Sequence, residues 1–235
     1  MNQKKLLLLS SSRVGDTAYL AHNREWIKRT VGDAPLLFIP YAGVGMTHAE
    51  YTSKVRDALA SVSIEVKGIE EYDAAAAAVS DAKAIAVGGG NTFQLLKLIY
   101  ENDLIAPLRA AVLKGTPYVG WSAGSNIAGK TIKTTNDMPI VEPPSFDALN
   151  LVNLQMNPHY TDYHPPGFNG ETRDDRLNEF IALNPTETVL GLPEGTGLEL
   201  RAGELLWHGS DRPVLIDNTG KHTQHDLQRL AALIG

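Results

Sequence analysis

The pentapeptide Gly120-Trp121-Ser122-Ala123-Gly124 matches the G-x-S-x-G pattern of a nucleophilic serine. It directly follows an apolar strand candidate and precedes a helical stretch, which is the setting that such a serine requires. Small neighbours permit a sharp turn, and N–H groups at the helix start would face a developing oxyanion. The pattern favours covalent catalysis by Ser122, although a tight turn with a capping serine would look the same.

A glycine turn, Gly88-Gly89-Gly90-Asn91, ends another strand candidate and leads into another helix. Because glycine lets the backbone approach a ligand closely, this turn could supply the second half of an oxyanion hole. A phosphate-binding turn or a packing turn would also fit, so the prediction depends on Ser122.

A serine hydroxyl becomes a good nucleophile only when a base accepts its proton, so a histidine and an orienting carboxylate are needed. His159 follows the strand-like segment Leu151 to Met156, which predicts a loop position at a strand end. Glu194 also follows a strand candidate and lies between Pro193 and Gly195. Other histidines have weaker claims because they fall in predicted helices, in a short strand or near the C-terminus: His22, His48, His208, His222 and His225.

These residues need a scaffold of strands and helices. Short apolar runs alternate with amphipathic stretches over the N-terminal two thirds, a pattern typical of parallel strands joined by crossover helices. Thr47 and Asn91 are followed three positions later by Glu50 and Gln94, which predicts two helix starts. The strand candidates, each of which could lie inside a sheet, are Leu6 to Ser10, Leu36 to Pro40, Ile64 to Ile69, Ala84 to Val87 and Pro117 to Trp121.

After Pro143 the pattern loosens into loops, with a helix predicted over Thr172 to Leu183 and strands over Thr188 to Leu192 and Val214 to Ile216. The stretch from His225 to Ile234 repeats apolar residues at helical spacing. No change of composition marks a boundary, so residues 1–235 are predicted to form one α/β domain.

Composition narrows the function classes. The 235 residues carry a formal net charge of −6 and no dense basic cluster, which argues against nucleic acid as a partner. The absence of cysteine excludes a thiol nucleophile and fits the cytoplasm. The apolar run after Lys5 is too short for a signal peptide, and no run is long enough to predict a membrane span. The pair His222-x-x-His225 is a spacing that occurs more often by chance on a surface than in a metal site, so no metal site is predicted.

Taken together, the motifs resemble peptidase E, the aspartyl dipeptidase family of serine peptidases. They occur in the family's order from about residue 5 to about residue 200, and such an ordered set is far more specific than any one motif. The segments that carry the resemblance are Phe38 to Val44, Val87 to Leu96, Gly120 to Gly124, Thr134 to Ile140, Asn157 to His159, Gly170 to Arg173 and Gly191 to Gly195. The resemblance implies a three-layer α/β sandwich with a mostly parallel central sheet, similar to class I glutamine amidotransferases.

The resemblance also implies roles for individual residues. Ser122 resembles the nucleophile, His159 the general base and Glu194 the acid that orients it, and this chain order differs from that of ordinary α/β-hydrolases. The oxyanion hole would fall on the N–H groups of Ala123, Gly89 and Gly90. Arg173 matches the position that receives the substrate's aspartate side chain, and Asn91 is a second candidate for substrate binding.

One assignment stays open, because Asp137 rivals Glu194 for the third place in the triad. Its alternative role is to bind the free α-amino group of the substrate, and a third interpretation is an aspartate that only stabilises a turn.

Two features depart from the family pattern: Ser125 stands where a smaller residue is expected, and no signature follows Gly203.

The implied activity is hydrolysis of a small acidic dipeptide by a monomer or homodimer, without a cofactor. Two alternatives share the fold. One is hydrolysis of β-linked aspartyl substrates, as in the related cyanophycin-degrading enzymes. The other is a non-catalytic protein in which the glycine turn binds a small anion.

Overall fold

The computed structural model describes residues 4–167, 169–223 and 227–234. Its larger sheet has seven strands in the order β3-β2-β4-β5-β1-β8-β9. The first five of these pair in parallel, and β8 and β9 continue the sheet in antiparallel fashion. The strands are β1 Leu6–Leu9, β2 Leu36–Ile39, β3 Val66–Gly68, β4 Ala84–Val87, β5 Tyr118–Trp121, β8 Gly197–Arg201 and β9 Glu204–His208.

Four strands, β1, β2, β4 and β5, lie inside this sheet and every one of their residues is buried. This burial explains why they occur as continuous apolar runs in the sequence. Strand β3, in contrast, forms the edge of the sheet and leaves Lys67 exposed. A charged residue on an edge strand hinders pairing with other chains.

Eight α-helices lie in the described ranges, and several begin where the sequence predicts. Thr47 forms a capping box with Glu50, and Thr172 forms another with Asp175. Asn91 caps its helix by accepting a hydrogen bond from the N–H group of Gln94. The helices are α1 Arg24–Val31, α2 His48–Leu59, α3 Ala75–Asp81, α4 Thr92–Glu101, α5 Ile105–Leu113, α6 Ala123–Asn126, α7 Arg173–Leu183 and α8 Leu227–Ile234. The start of the predicted C-terminal helix, at residues 225 and 226, lies outside the described residues.

Alternate residues of β1 define the layers. Leu7 and Leu9 pack in a cluster with apolar residues of α1 and α2, whereas Leu6 and Leu8 pack in a cluster with those of α3, α4 and α5. Helices therefore cover both faces of the sheet, and the fold is the three-layer α/β sandwich that the family resemblance implies. No helix within the described ranges is long and apolar enough to cross a bilayer.

A second sheet, which the sequence does not predict, has four strands in the order β11-β10-β7-β6. Leu190 and Leu192 of this sheet join the cluster that holds Leu6 and Leu8, so the sheet packs against the same side as α4 and α5. Its strands are β6 Gln155–Tyr160, β7 Val189–Pro193, β10 Val214–Asp217 and β11 Gly220–Thr223.

Candidate active site

Ser122 lies at the turn between β5 and α6 with φ 53° and ψ −115°, a strained conformation for a residue with a side chain. Its N–H group donates to the carbonyl of Leu9 on the neighbouring strand (3.1 Å), which holds the turn against the sheet. A Cβ atom at Gly124 would lie 2.1 Å from the carbonyl oxygen of Val87, so only glycine fits there. The structure thus has the sharp serine turn that the G-x-S-x-G pattern predicts.

Ser125, the departure from the family pattern, is fully buried and fits this turn. Its hydroxyl oxygen lies 2.7 Å from the carbonyl oxygen of Leu9 and 2.8 Å from that of Gly120. The hydroxyl therefore ties α6 to the ends of β1 and β5, and the larger side chain is accommodated by hydrogen bonding.

His159 reaches Ser122 from the second sheet, with its Nε2 atom 2.9 Å from the serine Oγ. The residue lies inside β6, so the prediction that it follows the strand on a loop is wrong. A register shift between Pro158 and Tyr160 and a φ of 56° at His159 turn the imidazole toward the serine. The His159 N–H group donates to the Oγ of Ser10 (3.0 Å) instead of to a neighbouring strand.

Glu194 follows β7, and its Oε1 atom contacts the Nδ1 atom of His159. Burial opposes ionisation of Glu194, but hydrogen bonds with His159 and Ser11 outweigh it and hold the pKa of the carboxyl below its ordinary value. An ionised carboxylate at Nδ1 favours the tautomer in which Nε2 can accept a proton. Ser122, His159 and Glu194 therefore lie in one hydrogen-bonded series.

Asp137, the rival carboxylate, lies elsewhere. Its Oδ2 atom accepts hydrogen bonds from the N–H group (2.7 Å) and the hydroxyl (2.5 Å) of Thr92, at the start of α4. Among the described residues no hydrogen bond joins Asp137 to His159, and none reaches its Oδ1 atom. The structure thus places Glu194, and not Asp137, beside the imidazole.

The glycine turn approaches the serine closely. A Cβ atom at Gly89 would lie 2.8 Å from the Cβ of Ser122, and at Gly90, with φ 140°, it would lie 2.1 Å from the carbonyl oxygen of Ala42. In the described part of the chain, the N–H groups of Gly89, Gly90 and Ala123 donate to no other backbone group. These unused donors flank Ser122 as an oxyanion hole requires.

Asn91 ends this turn, but its side chain is engaged within the protein. Its Oδ1 atom caps α4, and its Nδ2 group donates to the carbonyl of Met138 (2.9 Å). Asn91 therefore links the glycine turn to the loop of Asp137, and it also lines a cavity beside Ser122.

Two cavities meet at Ser122 and His159. The smaller, of about 210 Å³, is lined by both residues and by Ala123, Asp137 and Arg173. The larger, of about 450 Å³, extends from the glycine turn to the start of α2. Each cavity can hold one side of a cleaved bond.

Arg173, the first residue of α7, lines the smaller cavity and is partly buried. Burial, together with the nearby charge of Arg176, lowers the pKa of the Arg173 guanidinium. The two acids beside it in sequence pair elsewhere: Glu171 pairs with Arg176 (3.4 Å), and Asp174 pairs with Lys221 (2.8 Å). No carboxylate of the described residues forms an ion pair with Arg173.

The other histidines that the structure describes lie outside this series. His208 contacts the buried Glu199 (2.7 Å), His48 packs on the ring of Tyr41, and His225 lies outside the described residues. Within the described ranges no three His, Asp or Glu side chains are grouped as metal ligands would be.

The sequence did not identify four residues that support the site. Ser10 and Ser11 follow β1 and contact the backbone of His159 and the carboxylate of Glu194. The hydroxyl of Tyr51 donates to the carbonyl of Gly89 (2.8 Å) and accepts from Tyr19 (3.0 Å). For Ser10 and Ser11 the sequence offered one signal: they stand at the carboxyl end of a central strand, where such folds place their sites. For Tyr19 and Tyr51 it offered none.

A serine on a sharp turn of a mostly parallel sheet, with a histidine and a carboxylate in series, defines the site of a serine hydrolase. The chain belongs to peptidase family S51, whose family model matches residues 6–206. It is a serine-type dipeptidase of the peptidase E kind.

Curated relatives support this assignment. The chain is 50% identical over 224 residues to peptidase E of Shewanella denitrificans, covering 95% of this chain and 92% of the relative. It is 52% identical over 201 residues to peptidase E of Shewanella oneidensis, covering 85% of each chain.

Solved structures share the fold at lower identity. A peptidase from an acI-B1 actinobacterium matches with a TM-score of 0.68 and 19% identity over 95% of each chain. A Listeria monocytogenes EGD-e protein described as a peptidase E matches with a TM-score of 0.63 and 22% identity, over 88% of this chain and 99% of that one.

Proposed function

We propose that this protein hydrolyses dipeptides with N-terminal aspartate, with Ser122 as nucleophile, His159 as general base and Glu194 as the orienting acid. The observation that carries the proposal is the continuous contact from the Oγ of Ser122 through both ring nitrogens of His159 to Glu194. A serine acts as a nucleophile when its proton can pass to a base held in this way.

In the proposed reaction, His159 takes the proton of Ser122 as Oγ attacks the carbonyl carbon of the aspartyl residue. The N–H groups of Gly89, Gly90 and Ala123 stabilise the oxyanion. His159 then protonates the leaving amine, and an aspartyl ester remains on Ser122. Water, deprotonated by His159, attacks the ester and releases aspartate, so no cofactor takes part.

The smaller cavity is the proposed site of the aspartyl residue, because it combines a cation and an anion. Arg173 would bind the β-carboxylate, and the free Oδ1 atom of Asp137 would bind the α-ammonium group. Both side chains are partly buried, and neither has an ion-pair partner among the described residues, so a ligand that carries both opposite charges matches them. Binding of the α-ammonium would exclude peptides in which that nitrogen is acylated.

The rest of the proposal concerns the setting. We place residues 1–235 in one domain that acts in the cytoplasm as a monomer or homodimer. Its partner is a small acidic dipeptide, and the net charge of −6 fits neither nucleic acid nor an anionic membrane.

The experiment compares kcat/KM for Asp-Leu, Ala-Leu and β-aspartyl-arginine in the wild type and in Arg173→Met. Arg176→Met is the matched control, because Arg176 is one turn away on α7, exposed, and paired with Glu171. We expect Arg173→Met to lower kcat/KM for Asp-Leu by roughly 30-fold or more, since the carboxylate is left unpaired. Ala-Leu hydrolysis and the control variant should change little.

Other outcomes would overturn parts of the proposal. Faster cleavage of β-aspartyl-arginine than of Asp-Leu would assign the cleft to β-linked substrates. Cleavage of none of the three substrates would favour a non-catalytic anion-binding protein. Equal losses on Asp-Leu and Ala-Leu in Arg173→Met would mean that Arg173 supports the fold.

A further inference from the structure

The larger cavity contains a positive charge that is not used to bind the aspartyl residue, which the proposed function assigns to the smaller cavity. Among the described residues that line it, Lys54 is the only one with a permanent charge. No acidic side chain in the described part of the chain lines it. The cavity is therefore cationic at one point and otherwise neutral.

The ammonium group of Lys54 lies over the ring of Tyr19, which lines the same cavity. It lies 4.3 Å from the centre of the Tyr19 ring and forms no ion pair with a described carboxylate. The Tyr19 hydroxyl accepts from the indole of Trp121 (3.0 Å) and donates to Tyr51 (3.0 Å). Because Trp121 precedes Ser122, these contacts fix the Tyr19 ring, and with it the ammonium group, relative to the nucleophile.

The wall of the same cavity carries large apolar side chains that water contacts. Val44 is 60% exposed, Ile140 52% and Met46 37%. Exposed apolar side chains grouped at a cavity mark a surface that an apolar group can cover.

From this arrangement we infer that the larger cavity binds the second residue of the dipeptide, with Lys54 on its C-terminal carboxylate and Val44, Met46 and Ile140 around its side chain. The inference rests on the proposed function, which assigns the smaller cavity to the aspartyl residue. In every dipeptide the terminal carboxylate is attached to the α-carbon next to the scissile nitrogen. A lysine there recognises the chain end whatever the side chain, and it disfavours longer peptides, which have a neutral amide at that point.

A second cation, Arg13, also lies near the Tyr19 ring, and the test must distinguish its effect from that of Lys54. Burial raises the pKa of Tyr19, and the charge of Arg13 opposes that rise, so Arg13 lies near the same ring. Arg13 is exposed and does not line the cavity. It is therefore the matched control.

The test measures kcat and KM for Asp-Leu and for Asp-Leu-amide, which lacks the terminal negative charge. In the wild type we expect kcat/KM to favour Asp-Leu by roughly tenfold or more. Lys54→Met should reduce this preference to about twofold or less, mainly through a higher KM for Asp-Leu, since an ion pair with the ground state and the transition state alike is lost. Lys54→Arg should restore most of the preference, and Arg13→Met should retain it.

Several results would overturn the inference. Equal losses on both substrates in Lys54→Met would mean that Lys54 supports Tyr19 or the fold. A preference that survives Lys54→Met, or that Arg13→Met abolishes, would assign the carboxylate to another group. If the wild type cleaved neither substrate, the proposed function itself would fail, and that outcome is distinct because no preference would exist to compare.

Discussion

The two sheets contribute different parts of the candidate active site. The seven-stranded sheet carries Ser122 after β5 and the glycine turn after β4, whereas the four-stranded sheet carries His159 in β6 and Glu194 after β7. The nucleophile and the oxyanion donors thus come from one sheet, and the base and its acid from the other. Catalysis in this arrangement depends on how firmly the two sheets are held together.

The largest expected loss of activity comes from replacing Ser122, which the seven-stranded sheet carries. Ser122→Ala should lower kcat for Asp-Leu by about 10³-fold or more, because the variant lacks the attacking oxygen. The serine is only partly buried, so we expect Tm to change by less than about 3 °C. Purified variant and wild type would be compared by Asp-Leu hydrolysis and by thermal unfolding. A variant that kept a tenth of the wild-type turnover would exclude Ser122 as nucleophile.

The two sheets also differ in how readily their strands can be recognised in the sequence. Strands β1, β2, β4 and β5 are buried throughout, so their apolar runs and the glycine-rich turns after β4 and β5 stand out. In the second sheet the pattern is weaker, because β6 contains Pro158 and a register shift and no residue of β11 is buried. Its strands β7 and β10 were still predicted from short apolar runs, and His159 and Glu194 from their positions after strand candidates, but only the family resemblance assigned these two residues their roles.

Long-range contacts are a further limit on prediction. The hydrogen bond from His159 to Ser10 joins residues 149 positions apart, and no local pattern indicates it. The serines after β1 mark only the end of an apolar run in the sequence. Likewise, Lys54 looks like an ordinary surface lysine of an amphipathic helix until the fold brings it beside Tyr19.

The second prediction separates Glu194, which follows β7 of the second sheet, from Asp137, which is bound to the start of α4. Glu194→Gln should lower kcat by about 100-fold, because the amide no longer favours the required tautomer of His159. Asp137→Asn should act mainly on KM, since its proposed partner is the α-ammonium group of the substrate. Steady-state kinetics with Asp-Leu would measure both. A much larger loss of kcat in Asp137→Asn than in Glu194→Gln would reverse the two assignments.

The smallest expected loss of activity comes from removing the hydrogen bonds that join the two sheets at Ser10. Ser10 accepts from the N–H group of His159 (3.0 Å) and donates to the carbonyl of Leu192 (2.9 Å), so Ser10→Ala removes two hydrogen bonds that join β1 to the second sheet. We expect kcat to fall by about three- to tenfold with little change in KM. Ser80→Ala, on the exposed face of α3, is the control. Should Ser10→Ala change KM alone, Ser10 would not position His159.

The most direct test of an active site built across two sheets is a double-mutant cycle between Ser122 and His159. We expect Ser122→Ala, His159→Ala and the double variant to lose kcat to nearly the same extent, about 10³-fold or more, because the two side chains act as one unit. Losses that multiply in the double variant would show that the two residues act independently, and would contradict this account.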